Sequence, residues 1–194
     1  MPSTPTMRVS ETELFFRRWL SSPRSVGSVR PSSQALARAI ARAAIVEPGD
    51  FVVELGGGTG AITQGLIDYG IARDRIVVVE LDPKLADFLE HRLPGCRVLC
   101  GDATRLDAIL ANAGVERVGT VISGLPMVGN PVEFRCAIVR QAFKVLRPGG
   151  TVLQYGYSPI SVVPTRKLGI RAHLADYVFW NLPPAAVWRY ELLQ

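Results

Sequence analysis

The run Phe51-Val-Val-Glu-Leu-Gly-Gly-Gly-Thr-Gly60 decides the fold. Apolar residues around Glu54 predict a buried strand, the glycines a tight turn, and Ala61-Ile-Thr-Gln-Gly-Leu-Ile67 the helix that follows. A helix that starts on such a turn has backbone N–H groups without intrahelical partners, and these suit an anionic group of a ligand. A bound cofactor is therefore the first expectation.

Gly56-x-Gly58-x-x-Ala61 satisfies the dinucleotide fingerprint, so the loop by itself leaves NAD and FAD open. Gly60 makes the turn denser than that fingerprint requires, and Glu54 stands just ahead of the first glycine. A carboxylate there sits poorly beside a pyrophosphate and well beside an ammonium group. The methionine part of S-adenosylmethionine carries both an ammonium and a carboxylate, which would match Glu54 and the helix terminus. A loop of this shape with no ligand role is the third reading.

The chain has 194 residues, a length expected to form one domain with one large core. Its formal charge is +5, almost all of the excess carried by arginine, which favours nucleic acid or an acidic membrane surface as partner without choosing between them. Cys96, Cys100 and Cys136 lack the paired spacing of a zinc site, and only His91 and His173 could assist them, so no metal is expected. The same cysteine usage points to a reducing cytoplasm. The first twenty residues do not read as a signal peptide, and no apolar run is long enough to span a bilayer. Any contact with a membrane is expected from outside it.

Outward from the glycine turn the order is regular. Pro31 to about Ile45 reads as a helix with Leu36, Ala39, Ile40 and Ala43 on one face and Arg38 and Arg42 off it. Further strands are expected at Arg75–Glu80, Cys96–Cys100, Thr120–Ser123 and Thr151–Tyr157, the last preceded by a Pro148-Gly-Gly150 turn. Helices are expected at Pro83–Arg92, Leu106–Ala113 and Val132–Leu146. This alternation predicts an α/β sheet covered on both faces. The tail differs. Ile170–Asn181 and Ala185–Leu192 are joined too closely for a crossover helix, so they are expected as an antiparallel hairpin closing one sheet edge. Glu11–Leu20 reads either as an interfacial helix, with Leu14, Phe15, Trp19 and Leu20 beside Arg17 and Arg18, or as a helix docked on the domain.

The first three strands each bring an acid to one edge of that sheet. Beside Glu54, Glu80 follows Gly56 at the distance expected of a ribose-binding acid. Asp102 could take a base amino group, with Leu81 and Ala103 lining the base pocket, or could simply cap the next turn.

Val53-Glu-Leu-Gly-Gly-Gly-Thr-Gly60, Val79-Glu-Leu-Asp-Pro83, Gly101-Asp-Ala103 and Phe143-Lys-Val-Leu-Arg-Pro-Gly-Gly150 together resemble the ordered motifs of class I S-adenosylmethionine-dependent methyltransferases. The resemblance implies a Rossmann-like fold, a seven-stranded mostly parallel sheet with an antiparallel C-terminal hairpin. It covers residues 31–194, with residues 1–30 as an N-terminal extension. Within that class, Val79 to Leu85 with Gly101-Asp-Ala103 is similar to the rRNA adenine dimethylases. Those enzymes carry Asn-Leu-Pro-Tyr or a near variant after the fourth strand, where this chain has Ser123-Gly-Leu-Pro-Met127 and so lacks both amide and aromatic platform. Losing the stacked ring removes a contact of about 1–3 kcal/mol per base.

Phe15-Phe-Arg-Arg-Trp-Leu20, Pro23 to Ser33, Ser123 to Met127 and Asn181-Leu-Pro-Pro-Ala185 resemble the bacterial phospholipid N-methyltransferases of the PmtA type, a likeness spanning nearly the whole chain. That resemblance implies a peripheral enzyme of the inner membrane that meets anionic lipid and converts phosphatidylethanolamine stepwise to phosphatidylcholine, with no nucleic-acid partner. It maps an amphipathic membrane helix onto Glu11–Leu20. The cofactor residues it implies are Glu54, Gly56, Gly58, Gly60, Glu80, Leu81, Asp102, Ala103, Ser123 and Leu125. Tyr155, Tyr157 and Ser28 are the candidate acceptor-site residues, since tyrosines alternating on a strand share a face and tolerate a methylated cation. Met127 with Leu125 would shape the reaction channel. Arg24 and Arg166 are favoured over Arg30 and Lys167 to hold the lipid phosphate. Methylation of an rRNA adenine or a small amine, and an inactive lipid- or RNA-binding protein on this fold, are the competing readings.

Overall fold

The computed structural model describes residues 31–193, with the side chains of residues 31–33 left out of the description. The expected membrane helix Glu11–Leu20 and the candidates Ser28, Arg24 and Arg30 lie outside the described residues.

Helix α1 (Pro31–Ala43) leads into strand β1 (Phe51–Leu55), then α2 (Ala61–Asp68), β2 (Ile76–Glu80), α3 (Pro83–Arg92) and β3 (Arg97–Cys100). Next come α4 (Leu106–Asn112), β4 (Val118–Ser123), α5 (Val132–Val145), β5 (Leu146–Gly156), the short α6 (Thr165–Leu168), β6 (Ile170–Val178) and β7 (Ala185–Leu192). They form a seven-stranded sheet in the order β3-β2-β1-β4-β5-β7-β6. Strands β1 to β5 pair in parallel, while β7 runs antiparallel to both β5 and β6. The Rossmann-like arrangement with its closing hairpin is as the sequence predicts.

Alternation along β1 divides the core. Val53 and Leu55 join Leu106, Leu110, Ile138 and Val139 on the face covered by α4 and α5. Val52 faces the other way, among Leu36, Ile40, Ile62, Leu66 and Leu89 of α1 to α3. Glu54 shares the parity of Val52 and so points under α2. Helices α1 and α2 cross where a Cβ on Gly65 would stand 2.1 Å from that of Ala37, an approach only glycine allows.

Several strand boundaries differ from expectation by one residue or more, and two of the differences follow from the pairing. The predicted Pro148-Gly-Gly150 turn is a bulge within β5, because Leu146 already pairs with Val118 before Thr151 pairs with Thr120. Arg147 at this bulge reaches Asp50, so a tertiary ion pair holds the irregular backbone. In the tail, β6 ends at Val178 rather than Asn181, because its last pairing is with Ala185, and Phe179–Asn181 enter the turn. Their apolar character had extended the predicted strand. Among the described residues no helix is long and apolar enough to cross a membrane.

Chain order reverses between β1 and β4. The connection after β1 goes to one face and that after β4 to the other, opening a crevice beyond the carboxyl ends of these strands.

Candidate functional site

The glycine turn builds one wall of the crevice. Gly56, Gly58 and Gly60 all have positive φ, at 77°, 54° and 77°, a region that residues with a Cβ rarely adopt. The amide of Gly56 donates to the Val79 carbonyl at 2.8 Å, tying the turn to β2. Nothing lies within 4 Å of where a Cβ on Gly58 would be, so this backbone faces open space. Gly60 caps α2, and the first intrahelical bond runs from Gln64 N–H to its carbonyl, leaving the preceding amides of the first turn without intrahelical acceptors.

Glu54 lies directly beneath, with no exposed surface. Its Oε2 accepts the Thr63 hydroxyl, and its Oε1 is buried without a protein partner. Burial pushes its pKa up to about 8, against the Thr63 hydrogen bond and with a further push from Glu80. A buried carboxyl with one open oxygen is a receptor for a cation.

Glu80 ends β2, also fully buried. Its Oε2 accepts Gly58 N–H at 3.1 Å, and its Oε1 accepts the amides of Leu81 and Asp82 at 2.9 and 3.2 Å. These three bonds use three of the roughly four acceptor positions of a carboxylate. Burial raises its pKa in spite of them, with Asp82 adding to the rise. Leu81 is exposed beside it and Ala103 is buried. Asp102 does cap the following turn, its Oδ1 accepting Thr104 N–H at 2.8 Å. The edge thus gathers Glu54, Glu80 and Asp102 where sequence reasoning put them; Glu54 holds its proton until a cation stands beside it, and a ligand ammonium there would favour its ionised form. Open glycine backbone, the unpaired Glu54 oxygen and this acid set together fit S-adenosylmethionine, whose sulfonium and ammonium are both positive. Among the described residues no group of His, Cys, Asp and Glu could hold a metal ion.

Across the switch point lies a cleft of about 510 Å³ lined by Leu125 to Val128, Gln154 to Ser158, Ile160, Val162 and Trp188, among others. Leu125 closes it on the glycine side, since a Cβ on Gly56 would meet its Cδ2 at 2.9 Å. Asn130 folds the loop after β4 back on itself by donating to the Pro126 carbonyl, and Arg135 of α5 donates to the Val162 carbonyl. Met127 is buried in the same wall.

Both candidate tyrosines line this cleft, in different settings. Tyr155 packs beneath Gly124, where a Cβ would stand 2.3 Å from its hydroxyl oxygen. Burial holds its pKa well above the usual tyrosine range, with Glu54 and Tyr157 adding to the effect, so it keeps its proton. Tyr157 lies past the end of β5 and is exposed. Arg166 is exposed on α6 and does not line the cleft. His173 sits on β6, 3.6 Å from Glu191, and lines a separate groove with Arg42 and Asp176.

Sequence reasoning missed Gln154. Its Nε2 donates to the carbonyls of Leu125 at 3.2 Å and Tyr155 at 2.8 Å, which fixes the amide orientation and leaves Oε1 buried and unpaired. Trp188, its register partner on β7, has a buried unpaired Nε1, and Ser123 at the end of β4 an unpaired Oγ. A polar residue in the apolar run Val152-Leu-Gln-Tyr155 was the available signal.

A family model for ribosomal RNA adenine dimethylase matches residues 30–104. The ornithine lipid N-methyltransferase of Singulisphaera acidiphila is 32% identical over 183 residues, covering 90% of this chain and 93% of that protein. Ribosomal RNA small subunit methyltransferase A of Moorella thermoacetica is 43% identical over 154 residues, and the chain spans about half of it, 51%. That match takes in 66% of this chain. Among solved structures, the glycopeptide N-methyltransferase MtfA in complex with S-adenosyl-L-methionine shares the fold with a TM-score of 0.63 at 15% identity, over 88% of this chain and 99% of that one.

Proposed function

The chain belongs to the class I S-adenosylmethionine-dependent methyltransferases, in the family of the Singulisphaera ornithine lipid N-methyltransferase, and from this premise we propose that it methylates the amine of a membrane lipid headgroup. The observation that carries the reading is the cleft beside the glycine turn. Its lining is mostly apolar, and Gln154, one of the lining residues, has a buried side-chain oxygen with no protein partner. Phosphatidylethanolamine, taken stepwise through its methylated forms to phosphatidylcholine, is the substrate we favour. The amine of an ornithine lipid is the second reading, supported by the relative that matches nearly end to end.

When bound, S-adenosylmethionine supplies an electrophilic methyl group. Glu54 and the first amides of α2 would hold its amino-acid part, Glu80 with Leu81 its ribose, and Asp102 with Ala103 its base, while Ser123 at the end of β4 and Leu125 just after it would face it. The chain's own work concerns the amine. An alkylammonium with a pKa of about 10.4 in water must give its proton to solvent water on entering the cleft before it can attack. An apolar cleft disfavours the charged form and lowers that value. Gln154 Oε1 can accept one amine N–H and so fix the direction of the nitrogen lone pair. Tyr155, which keeps its proton, does not serve as base. The rings of Tyr155 and Tyr157 offer cation–π faces to a product that becomes permanently charged at the third methylation.

Against an adenine acceptor stands the loop after β4, where Met127 occupies the place of a stacking aromatic. Initial rates on vesicles of phosphatidylethanolamine, vesicles of ornithine lipid and soluble phosphoethanolamine test the proposal. Lipid turnover at least tenfold faster than that of the soluble amine is the expected outcome. Equal rates would refute a site built for lipid.

A further inference from the structure

We infer that the turn between β6 and β7 is a bilayer-insertion element, which lowers the mouth of the acceptor cleft into an anionic lipid surface. The inference rests on the lipid reading above. Three loops lie at the carboxyl edge of the sheet, residues 124–131, 157–164 and 179–184, and the first two contribute residues to the cleft lining. None contains an acidic or basic residue, in a chain of which 20% is charged. Leu125, Met127 and Val163 turn inward, but six other apolar or aromatic side chains of these loops are exposed. Phe179, Trp180 and Leu182 are 73%, 88% and 77% exposed, and Val128, Tyr157 and Ile160, which line the cleft, are exposed as well.

The register places the turn at the cleft. Gly156, at the end of β5, pairs with Ala186, and Val178 pairs with Ala185, so the chain leaves the sheet beside Tyr157. A turn projecting an indole, a phenyl and an isobutyl group suits the headgroup boundary, where apolar bodies enter lipid and the indole N–H meets carbonyl or water. Cations stand behind this uncharged rim. Arg166 and Lys167 follow the 157–164 loop directly, Lys167 paired with Glu133 at 3.3 Å, and Arg135 holds its backbone at Val162. With a formal charge of +5, the chain is complementary to an anionic bilayer. Insertion here would present a headgroup to the cleft while its acyl chains stay in the membrane.

The test uses the full chain and vesicles of phosphatidylglycerol and phosphatidylcholine with brominated acyl chains, which contain no methylatable amine, so that docking is read apart from turnover. In a Trp19→Phe background, which removes the tryptophan of the expected N-terminal membrane helix, bromine within the bilayer should quench tryptophan fluorescence, and adding Trp180→Phe, which preserves the apolar tip, should lose most of that quenching while still sedimenting with vesicles. Phe179→Asp/Leu182→Asp should sediment roughly tenfold more weakly, because charge replaces the apolar area that interfacial binding buries. The double variant should keep wild-type affinity for S-adenosylmethionine and wild-type rates on monomeric short-chain lipid. Quenching unchanged by Trp180→Phe, or vesicle binding unchanged in the double variant, would overturn the inference. So would quenching that appears only once residues 1–30 are removed, which would make the chain's own N-terminal segment the occupant of this surface. Vesicle docking through Trp180 without methylation of any lipid would instead refute the proposed function and leave the docking surface standing.

Discussion

Asp50 precedes the first strand and Glu54 lies near its carboxyl end, both cut off from solvent, and the protein treats them oppositely. Asp50 is saturated. It accepts Arg147 Nε at 2.9 and 3.0 Å, lies 2.7 Å from Arg117 Nε and takes the Glu47 amide at 2.9 Å. Burial alone would raise its pKa, yet the bonds from Arg147 and Glu47 and the charges of both arginines bring it below the ordinary carboxylate value. Glu54 has one hydroxyl and an open oxygen, and burial carries its pKa to about 8. At the amino edge the Asp50 carboxylate is closed by the chain's own partners. The carboxyl edge keeps unpaired Glu54, Ser123, Gln154 and Trp188 atoms, each costing about 1–3 kcal/mol if nothing meets it. Such debt is retained where a ligand settles it.

Breaking the closed end should have the largest effect. Asp50→Ala leaves Arg147 and Arg117 without their carboxylate, and denaturant titration should show a loss of about 3–5 kcal/mol. A loss under 1 kcal/mol would mean that the network adds little.

At the open end, Glu54→Gln should separate stability from function. Below about pH 4.5 Glu54 is protonated whether the chain is folded or not. Between there and about 8 the unfolded chain ionises while the folded one holds its proton, so stability falls as pH rises and levels off above about 8. Glu80, raised in the same direction, contributes to the same slope. The variant should therefore be more stable than wild type in cofactor-free form at pH 8.5, with a shallower fall in melting temperature across that window. Its affinity for S-adenosylmethionine by calorimetry should drop roughly ten- to a hundredfold, the value of a charge-assisted hydrogen bond. A variant that is less stable at pH 8.5 would contradict this account of Glu54.

Gln154→Leu should lower kcat/KM for lipid about tenfold through loss of one oriented hydrogen bond, with cofactor affinity unchanged. An equal loss in cofactor affinity would place Gln154 on the wrong side of the crevice. The smallest effect belongs to the exposed pair of Arg42 and Asp176 at 3.0 Å, where Arg42→Ala should change stability by less than about 1 kcal/mol.

Local patterns made most of the fold legible. The glycine turn, the acids at the ends of β1 and β2 and the closing hairpin all follow from short-range periodicity and connection length. The β5 bulge did not, because its cause is an ion pair between Arg147 and a residue far away in the chain. Tyr155 and Tyr157 were legible as cleft residues from alternation, but their different burial depends on Gly124 and on where β5 ends. Gln154 escaped because its importance lies in an oxygen left over once two backbone carbonyls have claimed its N–H groups. The hairpin tip was misread for a physical reason: outward apolar residues and buried strand residues look alike in sequence.

The most direct test of the central claim offers the purified full-length protein labelled S-adenosylmethionine together with phosphatidylethanolamine-containing vesicles and bulk ribosomal RNA in one reaction. Methyl label recovered in the solvent-extracted lipid is the predicted result. Label recovered in the RNA, with the lipid unlabelled, would contradict it.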